Sequence, residues 1–164
     1  MSEATASGVV VVGVQPGSVH DVVEVAAQFA ERFQAVLVCI AVDVALLSSG
    51  VRADGSEIIE PIDPDSADTV PKGLPDGDIE TIRKLAAARS VRVEVLTKVG
   101  DPSRALAEVA DDHDAVMIVV GTRGGRRRVA DFFNGSVAAR LAHQQHRPVL
   151  VVPTNPVGFS APLP

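Results

Sequence analysis

The sequence predicts an α/β fold with a mostly parallel sheet, and three observations carry that prediction. Apolar, β-branched runs alternate with helical stripes along the chain. The run Val36–Val42 is apolar at every position rather than every second one, as a strand buried on both faces would be. Of the 164 residues, 46% are hydrophobic but only 3% aromatic, with no Trp or Tyr. The core must therefore be built from Val, Ala and Leu, which suits close packing of helices on a sheet.

The elements follow in order. Val9–Val14 reads as the first strand, and Gln15-Pro16-Gly17-Ser18 reads as a turn with Ser18 placed to cap a helix. That helix spans Val19 to Phe33, with Val22, Val25, Ala26, Phe29 and Phe33 on one stripe. Val36–Val42 is the second strand and holds Cys39, the single cysteine, as a small buried hydrophobe. A second helix is expected from Ile79 to Arg89. Val91–Val95 then alternates in the manner of an edge strand with one wetter face. Gly100-Asp101-Pro102-Ser103 opens a third helix with Pro102 in its first turn. Ala115–Val120 is a fourth strand, Gly135-Ser136 starts the last helix, and Val149–Val152, between Pro148 and Pro153, is a fifth strand at an edge. Residues 43–78 break the rhythm. They are acidic, carry Pro61, Pro64, Pro71 and Pro75 with Gly50, Gly55, Gly73 and Gly77, and leave the carboxyl edge where open α/β sheets bind ligands. They read as a lid or as a disordered insert.

Charge and composition exclude several classes. The net charge of −6 argues against nucleic acid or an anionic membrane as a partner. The lack of aromatics argues against a base-stacking platform. No apolar run reaches the length of a membrane span, and the N-terminus lacks a signal peptide's pattern, so the expected location is cytoplasmic. Charge is unevenly spread: residues 115–164 carry six Arg and one acid, so the remainder is strongly negative. That asymmetry favours a small anionic ligand over a long polyanion.

The positive charge surrounds Gly121–Ser136, where a buried strand gives way to glycines, arginines and a Gly-Ser pair at a helix start. Glycines let backbone N–H groups approach a ligand, and a helix N-terminus favours an anion. The stretch reads as a phosphate-binding corner in which Gly135, Ser136 and Val137 offer N–H groups. The alternative is an ordinary β-to-α connection whose glycines serve only the turn. It is no Walker loop, because the lysine is missing and the spacing differs. Arg123, next to the glycines, is the better individual phosphate partner, whereas Arg126-Arg127-Arg128 reads equally as a solvated charge run. His143 and His146 lie three apart on the last helix without an accompanying carboxylate or cysteine, so they read as exposed residues, and no structural metal is expected.

With these segments assembled, the chain resembles the universal stress protein family. The resemblance covers about residues 8–153 and rests on Val9–Val14 with Gly17-Ser18, Gly100-Asp101-Pro102, Asp114–Gly121, and Gly124 through Gly135-Ser136 to Arg147–Pro153. It implies an open five-stranded parallel sheet, ordered 3-2-1-4-5, with helices on both faces, a Rossmann-like arrangement. It also implies one domain over 8–153, with flexible tails at 1–7 and 154–164. ATP-binding members hold phosphates on a Gly-x2-Gly-x9-Gly-Ser/Thr loop, which the resemblance carries onto Gly121, Gly124, Gly135 and Ser136. Adenine is implied near the ends of the first two strands, around Val14, Gln15, Pro16 and Val42. The chain departs from the pattern twice. Ten residues separate Gly124 from Gly135, or nine if Gly125 is taken, but then the first gap is three. The strand-1 Asp that faces the nucleotide in the family is absent, its place taken by Gln15-Pro16.

Three functions follow in order of expectation. The first is a cytoplasmic stress or regulatory protein binding ATP, AMP or cyclic AMP, with Mg as companion to the phosphates. The second is a nucleotide-free interaction module. Under either, the resemblance implies a homodimer through Val149–Val152. A slow ATP hydrolase comes last, since no residue offers a persuasive base.

Overall fold

The computed structural model describes residues 8–122, 137–154, 156 and 158–160. Seven strands and four helices follow one another among these residues. They are β1 (Val9–Val14), α1 (His20–Arg32), β2 (Val36–Asp43), β3 (Leu46–Val51), β4 (Glu57–Pro61), α2 (Asp76–Ala87), β5 (Val93–Val99), α3 (Pro102–Asp112), β6 (Met117–Gly121), α4 (Val137–Gln144) and β7 (Val149–Val152). Five strands form one parallel sheet in the order β5-β2-β1-β6-β7. Counted among the sheet's own strands, this is the order 3-2-1-4-5.

The register explains the core. In β1, Val10, Val12 and Val14 point to one face of the sheet, where Val22, Val23, Ala26, Ala27 and Ala30 of α1 and Ile82 and Ala86 of α2 cover them. Val11 points to the other face, against Leu106, Val109 and Ala110 of α3 and Ala138 and Leu141 of α4. Both faces are apolar because both are covered, so β1 and β2 show no hydrophobic alternation. Alanines line the buried side of α1, and their small size lets the helix approach the β-branched strands closely.

Several boundaries differ from expectation, each for a local reason. The third strand of the sheet runs Val93–Val99 rather than Val91–Val95, because its pairing with β2 continues to Asp43 opposite Val99. It does occupy an edge. α2 begins at Asp76, following Pro75, and its first turn carries Asp76 and Asp78, which suit a helix N-terminus. Ser18 does not cap α1: the residue before the helix is Val19, and no side chain caps it. The stretch 43–78 contains an antiparallel hairpin of β3 and β4, closed by Arg52–Ser56 and irregular between Ser48 and Gly50. Acidic, Gly-rich composition concealed this hairpin. Its strand residues Leu46-Leu47 and Ile58-Ile59 are short apolar pairs rather than a sustained alternation.

Thr154, just past β7, is buried, and its amide donates to the Thr122 hydroxyl at 2.7 Å. Arg147 anchors the entry to β7. Its side chain is only 9% exposed, its Nε donates to the Ala115 carbonyl at 2.8 Å, and its guanidinium reaches Asp111 and Asp114.

Candidate functional site

The sheet changes direction of growth between β1 and β6: β2 lies on one side of β1 and β6 on the other. Chain leaving the two carboxyl ends therefore diverges, and an open crevice forms there, the usual ligand position in such sheets. β1 ends at Val14 and β6 at Gly121. Their register pairs Val12 with Val119, so two residues further on brings Val14 level with Gly121. Val14 is also paired with Ala41, which sets Val42 just beyond it on β2. The structure thus brings together Val14, Val42 and Gly121 along one edge.

Their side chains have other duties. Val14 is buried under α1, so it can meet a ligand only through its backbone, and Val42 is half-buried against the α3 face. A Cβ on Gly121 would lie 3.3 Å from Thr154 Cγ2 and 3.8 Å from Val22 Cβ. This glycine is explained by packing between α1 and the end of β7. Gln15 and Pro16 are exposed in the β1–α1 turn, where Gly17 takes a positive φ of 75°. Val137 is the first residue of α4 and half-buried. The remaining expected residues, Arg123, Gly124, Gly125, Gly135 and Ser136, lie outside the described residues.

Three carboxylates organise this edge, and the motif reading missed what they do. Asp43, at the end of β2, accepts from the Ala45 N–H at 3.0 Å through Oδ1 and from the Lys72 N–H at 2.9 Å through Oδ2. Its carbonyl accepts from the Gly100 N–H at 3.1 Å. One residue so ties the hairpin, the strap before α2 and the β5–α3 turn to β2. The strap is held close: a Cβ on Gly73 would meet Thr97 Oγ1 at 2.8 Å, and Leu74 is buried with the α1–α2 core.

Asp101 caps α3, accepting from the Arg104 N–H at 3.0 Å and from the Ser103 hydroxyl, while its other oxygen takes the Arg140 guanidinium from the first turns of α4. Burial alone would raise its pKa. Hydrogen bonds from Ser103, the Arg104 amide and Arg140, with the charge of Arg140, outweigh burial and hold the carboxyl below its ordinary value. Arg140 is thereby committed to a protein carboxylate. The third carboxylate, Asp78 in the first turn of α2, accepts from the Gly17 N–H at 2.8 Å. A spacing of 61 residues hid this contact from any local motif.

A groove of about 420 Å³ also runs between α3 and α4, past Asp101, Arg104, Glu108 and Arg140. Its arginines pair with its own acids, Arg104 with Glu108 and Arg140 with Asp101. Among the described residues, no group of three or more His, Cys, Asp or Glu is placed to share a metal ion. No helix among them is long and apolar enough to cross a membrane.

Comparison with known proteins agrees with this geometry. The model of the universal stress protein family matches residues 8–153. The chain therefore belongs to the universal stress protein family. A solved universal stress protein in complex with cAMP is similar over 92% of this chain and 99% of its own, with 25% identity and a TM-score of 0.60. The universal stress protein from Archaeoglobus fulgidus in complex with dAMP covers 90% of this chain and 99% of its own at 18% identity, with a TM-score of 0.53. A family member from Arabidopsis thaliana with AMP bound covers 90% and 92%, at 15% identity and a TM-score of 0.52. The latter two share the fold. No curated protein matches the sequence.

Proposed function

We propose that this universal stress protein binds an adenine nucleotide, ATP or the smaller AMP or cyclic AMP, in the crevice above β1 and β6, and acts through occupancy rather than turnover. The observation that carries this reading is the switch point itself, where the ends of β1, β2 and β6 meet. The charge pattern supports it, since the arginine-rich C-terminal third favours an anion on the β6–α4 side. The cAMP complex of the 25%-identical relative supports the adenine assignment. The backbone of Val14, Gln15, Pro16 and Val42 is assigned to the base, and the loop Arg123, Gly124, Gly125, Gly135 and Ser136, with Val137, to the phosphates by sequence pattern.

Calorimetry with AMP, cyclic AMP and ATP·Mg tests the reading. Binding at about millimolar Kd or tighter, roughly −4 kcal/mol, is the expected result for at least one ligand. Gly124→Asp should abolish it by placing a carboxylate against phosphate. A chain that binds none of the three, and releases no nucleotide when denatured, overturns the proposal.

A homodimer through β7 is part of the same proposal. β7 is a sheet edge of four residues, with Leu150 packed inward against the core and Val151 37% exposed. An apolar edge strand of this kind calls for a covering partner.

A further inference from the structure

The three carboxylates at the carboxyl edge differ in what they have left to offer. Both oxygens of Asp43 are engaged by backbone N–H groups. Both oxygens of Asp101 are engaged by Ser103, Arg104 and Arg140. Asp78 uses only Oδ2, on the Gly17 N–H, and among the described residues no cation pairs with it. It is half-buried and sits where α2 meets the β1–α1 turn. A carboxylate has about four acceptor sites, so Oδ1 remains available to a donor.

The contact also changes the character of the turn. A β1–α1 turn before a helix N-terminus ordinarily presents N–H groups to an anion. Here the Gly17 N–H is already satisfied by a protein carboxylate, and the turn carries negative rather than positive charge. In the sequence, residues 115–164 carry six Arg against one acid, and Arg123, Arg126, Arg127 and Arg128 fall between β6 and α4. The Asp78 carboxylate repels a phosphate from its side, and the arginine-rich sequence between β6 and α4 is the stretch that offers one a counter-charge. The Asp78 side suits the uncharged end of a nucleotide, which bears N–H and O–H donors.

We propose that Asp78 is a nucleoside-binding residue, its free oxygen accepting a hydrogen bond from a sugar hydroxyl or the exocyclic amine of the base. The proposal rests on the nucleotide-binding reading above. A hydrogen bond to a charged group is worth enough to change affinity roughly tenfold to a hundredfold.

Calorimetry on the full chain tests it with AMP, 2′-deoxy-AMP, 3′-deoxy-AMP and IMP, comparing wild type with Asp78→Ala and Asp78→Asn. Wild type should lose about tenfold or more toward whichever analogue lacks the donor, a deoxy sugar or inosine. Asp78→Ala should bind AMP and that analogue alike. Asp78→Asn keeps an acceptor for the Gly17 N–H and so guards against loss of fold; it should also discriminate less. If wild type binds AMP and all three analogues equally well, the proposal falls while nucleotide binding stands. The proposal falls in the same way if Asp78→Ala weakens every ligand by one common factor, the mark of a purely structural clip. A wild-type chain that binds none of AMP, cyclic AMP and ATP·Mg overturns both; where ATP or cyclic AMP is the nucleotide bound, its 2′-deoxy and inosine analogues take the place of those of AMP.

Discussion

Asp101 shows how one side chain at this edge joins local structure to tertiary structure. It caps α3 through the Arg104 amide and, through Arg140, ties α3 to α4. Asp101→Ala should cost about 1 kcal/mol, within the range of lost helix caps. The ionised form is the stabilising one, since the folded carboxyl titrates below the ordinary 3.8. Its contribution is complete above that value and fades as pH falls through the lower folded value. Urea unfolding of wild type and variant at neutral pH and near pH 2 checks this: the difference between them should shrink in acid. Cys39 sits at the opposite extreme. Burial pushes its thiol up to about 12, so it serves as a core hydrophobe and not as a nucleophile.

Among the elements, the β3–β4 hairpin is the piece least bound to the sheet. It pairs only with itself, forming a separate two-stranded sheet. Its fixed points lie at its ends, where Leu46 is buried and the Ile62 N–H donates to the Ala45 carbonyl at 2.9 Å. An isolated two-stranded hairpin contributes little stability of its own. Replacing residues 47–60 with a short Gly-Ser turn should therefore shift the unfolding free energy by about 1 kcal/mol or less, the scale of loop-closure differences. A larger loss in denaturant melts would show that the hairpin supports the main core. The strap that follows it is a different matter, because Asp43, Gly73 and Leu74 bind it to β2, β5 and the α1–α2 layer.

For the assembled molecule, the proposed dimer edge has one position that tolerates a charge and one that does not. Leu150 packs against the α1 face of the core, so a lysine there would damage the fold as well as any interface. Val151, at 37% exposure, lies on the opposite face of this edge strand from Leu150. Val151→Lys should yield a folded monomer by light scattering, with circular dichroism unchanged. A dimer that survives the substitution argues against pairing through β7.

How much was legible beforehand follows from the range of the interactions. Alternating apolar runs and stripes predicted each strand of the main sheet and each helix, because burial acts on the local pattern of side chains. The hairpin escaped because its apolar content comes in pairs inside an acidic, Gly-rich stretch. The Gly-Ser corner was legible as a motif, and the family match over residues 8–153 bears out the resemblance it carried. The duties of Val14, Val42 and Gly121 were not legible, since packing against α1, α3 and Thr154 depends on residues distant in sequence.

The α/β class, the apolar Val-Ala-Leu core and the opposition of an acidic bulk to an arginine-rich C-terminal third are already written in the amino-acid order. These are properties of composition and short-range period, set wherever burial selects side chains one turn or one pleat at a time. Which carboxylates are engaged, and which keeps an oxygen free, is settled by tertiary contacts alone. Asp43 and Asp101 engage both oxygens within the edge, while Asp78 reaches 61 residues back to Gly17 and keeps one oxygen free. Hydrogen bonds between such distant residues exist only once the parallel sheet has aligned its carboxyl ends, so no local pattern could have announced them.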